Sequence, residues 1–259
     1  MAATGGLTIP VTGAGGSWIV KLPSVKFAGV PQNEFAMMTL ARKIGIEVPD
    51  IRLVNTAEIE GLPDAMKSIE TTAYAIKRFD RLEDGGAVHI EDFAQVFGVY
   101  PEEKYKDASY RNIAAVIAAE AGEVGTQEFI RRLVFNALIG NADMHLKNWS
   151  LIYRDRRTAA LSPAYDFVST IAFLPDDKMA LNVSRTKKFA EFSAGEIAHL
   201  AAKARLPQKP VLDTARETVE RFLNVWAREK KNLDLPGATV ATIDAHLSRV
   251  PIVAEAGGV

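Results

Sequence analysis

Asp143 and Asn148 stand five residues apart in the run Ile139-Gly140-Asn141-Ala142-Asp143-Met144-His145-Leu146-Lys147-Asn148, where half of the side chains are polar or ionisable. Phosphoryl transfer gives these residue types a joint purpose. A loop carboxylate orients the attacking hydroxyl and accepts its proton, and an amide oxygen five residues on helps hold magnesium, the D-x-x-x-x-N interval of kinase catalytic loops. A second carboxylate, Asp166, follows in Ser162-Pro163-Ala164-Tyr165-Asp166-Phe167-Val168-Ser169-Thr170. A carboxylate just beyond a hairpin that leaves such a loop bridges magnesium to the phosphates of ATP, and hard oxygen donors such as Asn and Asp suit that ion. Val168 takes the place of the usual glycine. Lys21 ends the apolar run Trp18-Ile19-Val20-Lys21, from which its ammonium can reach phosphates, and Glu34 stands where it could fix that ammonium by an ion pair. Lys77 and Phe79, in Ile76-Lys77-Arg78-Phe79, offer backbone groups to an adenine edge.

Spacing alone leaves plainer readings open. Asp143 and Asn148 also fit a loop in which such residues cap their neighbours. Asp166 fits a turn before Ser169 and Thr170, Lys21 a strand-end lysine reaching water, and Glu34 a carboxylate favoured by a nearby helix start. His145 reads as hydrogen-bonding support for the loop rather than as a proton carrier. A metal-dependent hydrolase built on Asp143, His145 and Asp166 is a weaker reading, because the sequence holds no H-E-x-x-H. It holds no G-x-G-x-x-G, Walker-type loop or G-x-S-x-G either.

These residues need elements to position them. Leu7–Val11 and Ser17–Leu22 read as a hairpin around a glycine-rich turn. Asn33–Ile44 reads as a helix stopped by Gly45 and Pro49, and Ile51–Val54 and Ala73–Phe79 as strands. Beyond the charged connector Asp80 to Gly86, helical spacing predicts Ile90–Phe97, Tyr110–Ala121, Thr126–Ile139, Ala194–Ala204, Pro210–Lys230 and Val240–Ser248. Trp149–Tyr153 and Thr158–Leu161 read as a hairpin after the catalytic-type loop. The result is an α+β arrangement: a small β-rich lobe over residues 1–79 and a larger helical lobe over 80–259, with a ligand cleft between them.

Composition narrows the class. The chain has 259 residues, 48% of them apolar, enough for a sizeable core. A net charge of −1 with interleaved signs gives no footprint of a dedicated nucleic-acid binder. The absence of cysteine excludes disulfides and thiolate chemistry. No apolar run reaches spanning length and no signal pattern opens the chain, so the expectation is a cytoplasmic protein.

The ordered motifs carry a resemblance. Leu138 to Leu151, then Leu161-Ser162-Pro163-Ala164-Tyr165-Asp166 and Ser169-Thr170, closely resemble HipA-type toxin kinases. So do Ile19-Val20-Lys21-Leu22-Pro23, Asn33-Glu34, Leu40-Ala41, Val48-Pro49, Arg78-Phe79-Asp80-Arg81 and His89 to Gln95, with Gly98, Pro101, Lys104 and Tyr105 following. The series covers residues 17 to 170. The resemblance implies a two-lobed serine/threonine kinase of a bacterial toxin–antitoxin system that uses ATP and Mg2+. It implies Asp143 as catalytic base, Asn148 and Asp166 on magnesium, Lys21 on the phosphates, Lys77 to Phe79 on the adenine side, and His145 and Lys147 as catalytic-loop motif residues. Family targets include aminoacyl-tRNA synthetases. The usual partner is a small helix-turn-helix repressor, through which DNA contact would run. The family's amino-terminal subdomain and its G-A-Q-x-K loop find no counterpart before Lys21, where Ala2 to Gly6, with Thr4 as the hydroxyl, stand as a remnant. The expectation is therefore a kinase core, with a degenerate kinase acting as a partner-binding module as the alternative.

Overall fold

The computed structural model describes residues 8–9, 16–59, 62, 72–105, 108–175 and 178–257. The expected remnant at Ala2 to Gly6 and most of the glycine turn lie outside the described residues. The first half is a four-stranded antiparallel sheet of order β1-β2-β4-β3, made from Thr8–Ile9, Trp18–Lys21, Thr72–Lys77 and Ile51–Asn55. Helix α1 (Val30–Lys43) lies between β2 and β3 in sequence and starts earlier than its apolar spacing predicts, with Pro31 in its first turn. Strand β4 is central, and its alternation sorts the two faces. Tyr74 and Ile76 join Met37, Met38 and Leu40 of α1 in the main core, while Ala73 and Ala75 meet Val20, Ile59 and Leu62 on the other side. Met37, Met38 and Leu40 are fully buried, each contributing about 1.5–3 kcal/mol of transfer free energy. The register sets Lys21 beside Tyr74, at the end of β2.

The second half carries a three-stranded antiparallel sheet, β5 (His89–Asp92), β6 (Ser150–Tyr153) and β7 (Ala160–Leu161), against helices. The helix predicted over Ile90–Phe97 is corrected here: its first part is β5, and only one turn, α2 (Phe93–Val96), is helical. Asp92 explains the switch. Its side chain accepts from Gln95 N while the Gln95 side chain accepts from Asp92 N, a capping box that starts the helix there. The helices predicted over Tyr110–Ala121 and Thr126–Ile139 form α3 (Tyr110–Leu138), broken at Gly122 (φ 64°, ψ −155°). α4 (Ala194–Lys203), α5 (Gln208–Glu229) and α6 (Gly237–Leu247) match expectation within a turn, and α7 (Pro251–Gly257) adds a helix that the periodicity did not show. Phe129, Leu133 and Phe135 of α3 and Val219, Phe222 and Trp226 of α5 share the core. The architecture is α+β, and no helix among the described residues is long and apolar enough to cross a membrane.

Candidate active site

α3 ends at a glycine that nothing else replaces without strain. Gly140 has φ 65°, and a Cβ there would lie 2.3 Å from Ile171 Cδ1. This close approach brings residues 140–148 against residues 166–171. Thr170 reinforces it: its hydroxyl donates to Gly140 O (3.1 Å) and accepts from Ala142 N (2.7 Å). The buried Asn141 completes the link. Its Nδ2 donates to Asp166 O (3.3 Å) and Asn136 Oδ1 (2.8 Å), and its Oδ1 accepts from Asp143 N (3.0 Å). One amide thus ties together the backbones that carry Asp143 and Asp166. Asn148 Nδ2 donates to Asp143 O (3.2 Å), which leaves its amide oxygen as the end not used in that bond.

Asp166 has φ 61°, a left-handed conformation that Asp tolerates better than most residues. Phe167 beside it is fully buried and packs on Phe135 at 5.1 Å. The sheet half reaches over to this point. Lys21 Nζ donates to Glu34 Oε1 (2.7 Å) and to Asp166 Oδ1. Asn33 on α1 clamps the same segment, accepting from Ser169 N (2.8 Å) and donating to Ser169 O (3.3 Å).

Lys21, Asp166, Lys77, Phe79 and Lys147 line one cleft of about 330 Å³, with Ile19 and Ile76 of the first sheet and Ile90 of the second among its apolar walls. Lys77 N is held by Asp50 O (2.8 Å), and the Phe79 ring lies 5.7 Å from that of Tyr165. Arg78 makes two bonds to Asp80 (2.9 and 2.7 Å) at the same edge. Lys147 is exposed, and its carbonyl accepts from Tyr165 OH (3.0 Å). His145 is buried instead, with its ring edge-on to Tyr105 at 5.2 Å.

Burial dominates the electrostatics. It pushes the Asp143 carboxyl above its ordinary range, while the Tyr105 hydroxyl, Lys104 and Lys21 pull the other way. Burial also raises Glu34, opposed by the Lys21 ammonium. His145 is lowered to about 3 by burial and then by Lys104, so its imidazole is neutral. Burial works to raise Asp80, but the Arg78 and Arg81 guanidiniums outweigh it and hold the carboxyl low. Among the described residues no three His, Asp or Glu side chains converge as a metal-ligand cluster. A protein-held metal centre of the hydrolase kind therefore has no ligand set there. Asp166 lines the cleft and Asn148 is not among its lining residues; each carries a hard oxygen, the donor type that suits magnesium shared with phosphates.

Three site residues have no assigned role from sequence: Asn141, Asn33 and Tyr105. Tyr105 OH donates to Asp143 Oδ1. The motif series includes all three, but each makes a bond to a partner 25 to 136 residues away in the chain, where spacing carries no signal.

Residues 4–226 match the family described as the HipA-like C-terminal domain. A Sinorhizobium fredii protein named "Putative kinase Y4dM" is 59% identical over 252 residues, which cover 97% of this chain and 61% of that protein. The serine/threonine-protein kinase toxin HipA of Shewanella oneidensis is 27% identical over 192 residues, 63% of this chain and 41% of that protein. The chain thus spans less than two thirds of either relative. Among solved structures, Shewanella oneidensis HipA, in a complex with HipB and operator DNA, superposes with a TM-score of 0.72 at 21% identity, covering 93% of this chain and 58% of that one. The Helicobacter pylori proinflammatory kinase CtkA superposes with a TM-score of 0.65 at 13% identity, covering 99% and 91%. These likenesses establish a two-lobed protein-kinase-like fold, with a small β-rich lobe and a larger helical one.

Proposed function

The chain belongs to the family of HipA-like C-terminal domains, and from that premise we propose that it is the core of an ATP- and magnesium-dependent serine/threonine protein kinase. The observation that carries the reading is the convergence at Asp166. Lys21 reaches it from the sheet half, and Asn141 ties it to the loop of Asp143. In this reading residues 1–79 form the nucleotide-binding lobe and residues 80–259 the lobe that supplies the loop. Lys77, whose N–H is taken by Asp50 O, and Phe79 line the cleft and offer their remaining backbone groups to adenine. Lys21, steadied by Glu34, binds phosphate oxygens in exchange for its bond to Asp166. Asp166 and Asn148 would hold magnesium, which when bound neutralises phosphate charge. Asp143 accepts the proton of the protein hydroxyl as its oxygen bonds to the γ-phosphorus and the bond to ADP breaks. His145, neutral and buried, supports the loop, and Lys147 stands at the cleft edge to meet phosphate or acceptor.

One relative is named a HipA toxin and one solved neighbour is held with HipB and operator DNA; the wider setting we propose is a toxin–antitoxin kinase of the cytoplasm, with a small helix-turn-helix repressor as partner, DNA contact through that partner, and an aminoacyl-tRNA synthetase as the target to test. The direct test is label transfer from γ-labelled ATP to candidate acceptors. Asp143→Ala should abolish transfer while nucleotide binding persists, and Asp166→Ala should weaken magnesium–ATP binding. Nucleotide binding without any transfer would identify a partner-binding module instead.

A further inference from the structure

Lys104 and Tyr105 come from the segment between α2 and α3, outside the catalytic-type loop, yet three contacts fasten them to it and a fourth joins them to each other. Lys104 O accepts from Leu146 N (3.4 Å), and the Tyr105 ring meets His145 edge-on at 5.2 Å. Lys104 Nζ lies 5.1 Å over the Tyr105 ring, and the phenol donates to Asp143 Oδ1. Among the described residues the other hydrogen bonds of Asp143 are made by its main chain. Asn141 Oδ1 accepts from its N–H (3.0 Å), and its carbonyl accepts from His145 N (2.8 Å) and Asn148 Nδ2 (3.2 Å). Those bonds place the Cα and leave the carboxylate free to turn about its side-chain torsions. The bond from Tyr105 is made to the carboxylate itself.

We propose that Tyr105 is a positioning residue for phosphoryl transfer, one that pins Asp143 Oδ1 and presents Oδ2 to the acceptor hydroxyl. The assignment rests on the kinase reading above. A carboxylate has two acceptor oxygens. With one taken by the phenol, the hydroxyl proton passes to the other as the oxygen–phosphorus bond forms and the bond to the ADP oxygen breaks. Tyr105 keeps its own proton throughout. Transfer depends steeply on alignment, and a displacement of about 1 Å costs about 10²-fold in rate.

Tyr105→Phe removes the hydroxyl and keeps the ring that packs on His145, so it is the informative variant. The experiment measures kcat and KM for ATP, with dephosphorylated casein and with water as acceptors, in the parent, Tyr105→Phe, Asp143→Asn and the double variant. The expected result is a kcat lower by roughly 10- to 100-fold in Tyr105→Phe with the KM for ATP within about two-fold. The same substitution should change kcat little in the Asp143→Asn background, because residues that act as one unit are not additive. A merely structural role would lower both backgrounds alike, and that outcome overturns the proposal. So does an unchanged kcat, or a raised one, which would mark the phenol as an occupant that acceptors displace. A parent that transfers phosphate to neither acceptor removes the kinase reading and this assignment with it. An active parent with an unaffected Tyr105→Phe removes the assignment alone.

Discussion

At the level of single residues the carboxyl of Asp143 makes a signed prediction. Burial raises it, and the Tyr105 hydroxyl and two lysines only partly offset that. A general base must be ionised to act, so activity is present above its pKa and is lost as pH falls through it. The acid limb of kcat/KM should therefore lie above 3.8, the ordinary aspartate value. A profile flat down to that pH would remove Asp143 as the titrating base. Asn141 carries a different prediction. Asn141→Ala leaves Asn136 Oδ1, Asp143 N and Asp166 O each short of a partner. At about 1–3 kcal/mol for an unsatisfied buried group, denaturant unfolding should show a loss of roughly 2 kcal/mol or more, with kcat falling too. Lys21, Asp143, Asn148 and Asp166 stand out in the sequence as candidates because their types and order fit one chemistry, and the structure brings Lys21 against Asp166. Asn141 does not stand out, because an asparagine in a loop has many uses and its partner Asp166 is 25 residues away.

At the level of elements, the joint between α3 and the segment after Asp166 is the most constrained feature. A left-handed φ costs a non-glycine residue about 1–2 kcal/mol, and at Gly140 the added Cβ also meets Ile171. Gly140→Ala should destabilise the fold by more than about 2 kcal/mol, since overpacking adds its own penalty. Ile171→Ala removes the atoms that clash, so the double variant should lose less than the sum of the two single losses. Strict additivity in urea melts would show that the contact does not limit the turn. The stretch from Ile90 to Phe97 shows why some elements escape sequence reading. Ile90, Phe93 and Phe97 fit a helical face over so short a window, yet Ile90 pairs with Ile152 on β6, and Phe93 N donates to Trp149 O (3.0 Å). Both partners lie more than fifty residues away, and a local pattern cannot register them. α1 was readable because its apolar face is long and Gly45 (φ 94°) closes it.

Across the whole molecule, two buried histidines link stability to pH. His145 sits at the loop, and His246 on α6 donates from Nε2 to Ala137 O of α3 at 2.7 Å. Burial is the largest cause lowering both below the ordinary 6.5, His145 to about 3. A lowered folded pKa means that the unfolded chain binds the proton more readily. The stabilising contribution is thus complete above pH 6.5 and shrinks as pH falls below it, until the folded histidines themselves protonate. The slope is at most about 1.4 kcal/mol per pH unit for each histidine. Glu34 and Asp143, with raised carboxyls, act in the opposite sense, adding stability as pH falls from their raised folded values towards the ordinary 4.5 and 3.8. Those carboxyls are common to the parent and to a His246 variant, so the difference between the two from pH 6.5 down to about 5 isolates that imidazole. His246→Gln keeps a donor for Ala137 O but has nothing to titrate, so its melting temperature should fall less over that interval than the parent's. Parallel curves would mean that His246 is as easily charged in the folded protein as in the unfolded chain. The packing of α6 on α3 would then owe nothing to a neutral imidazole.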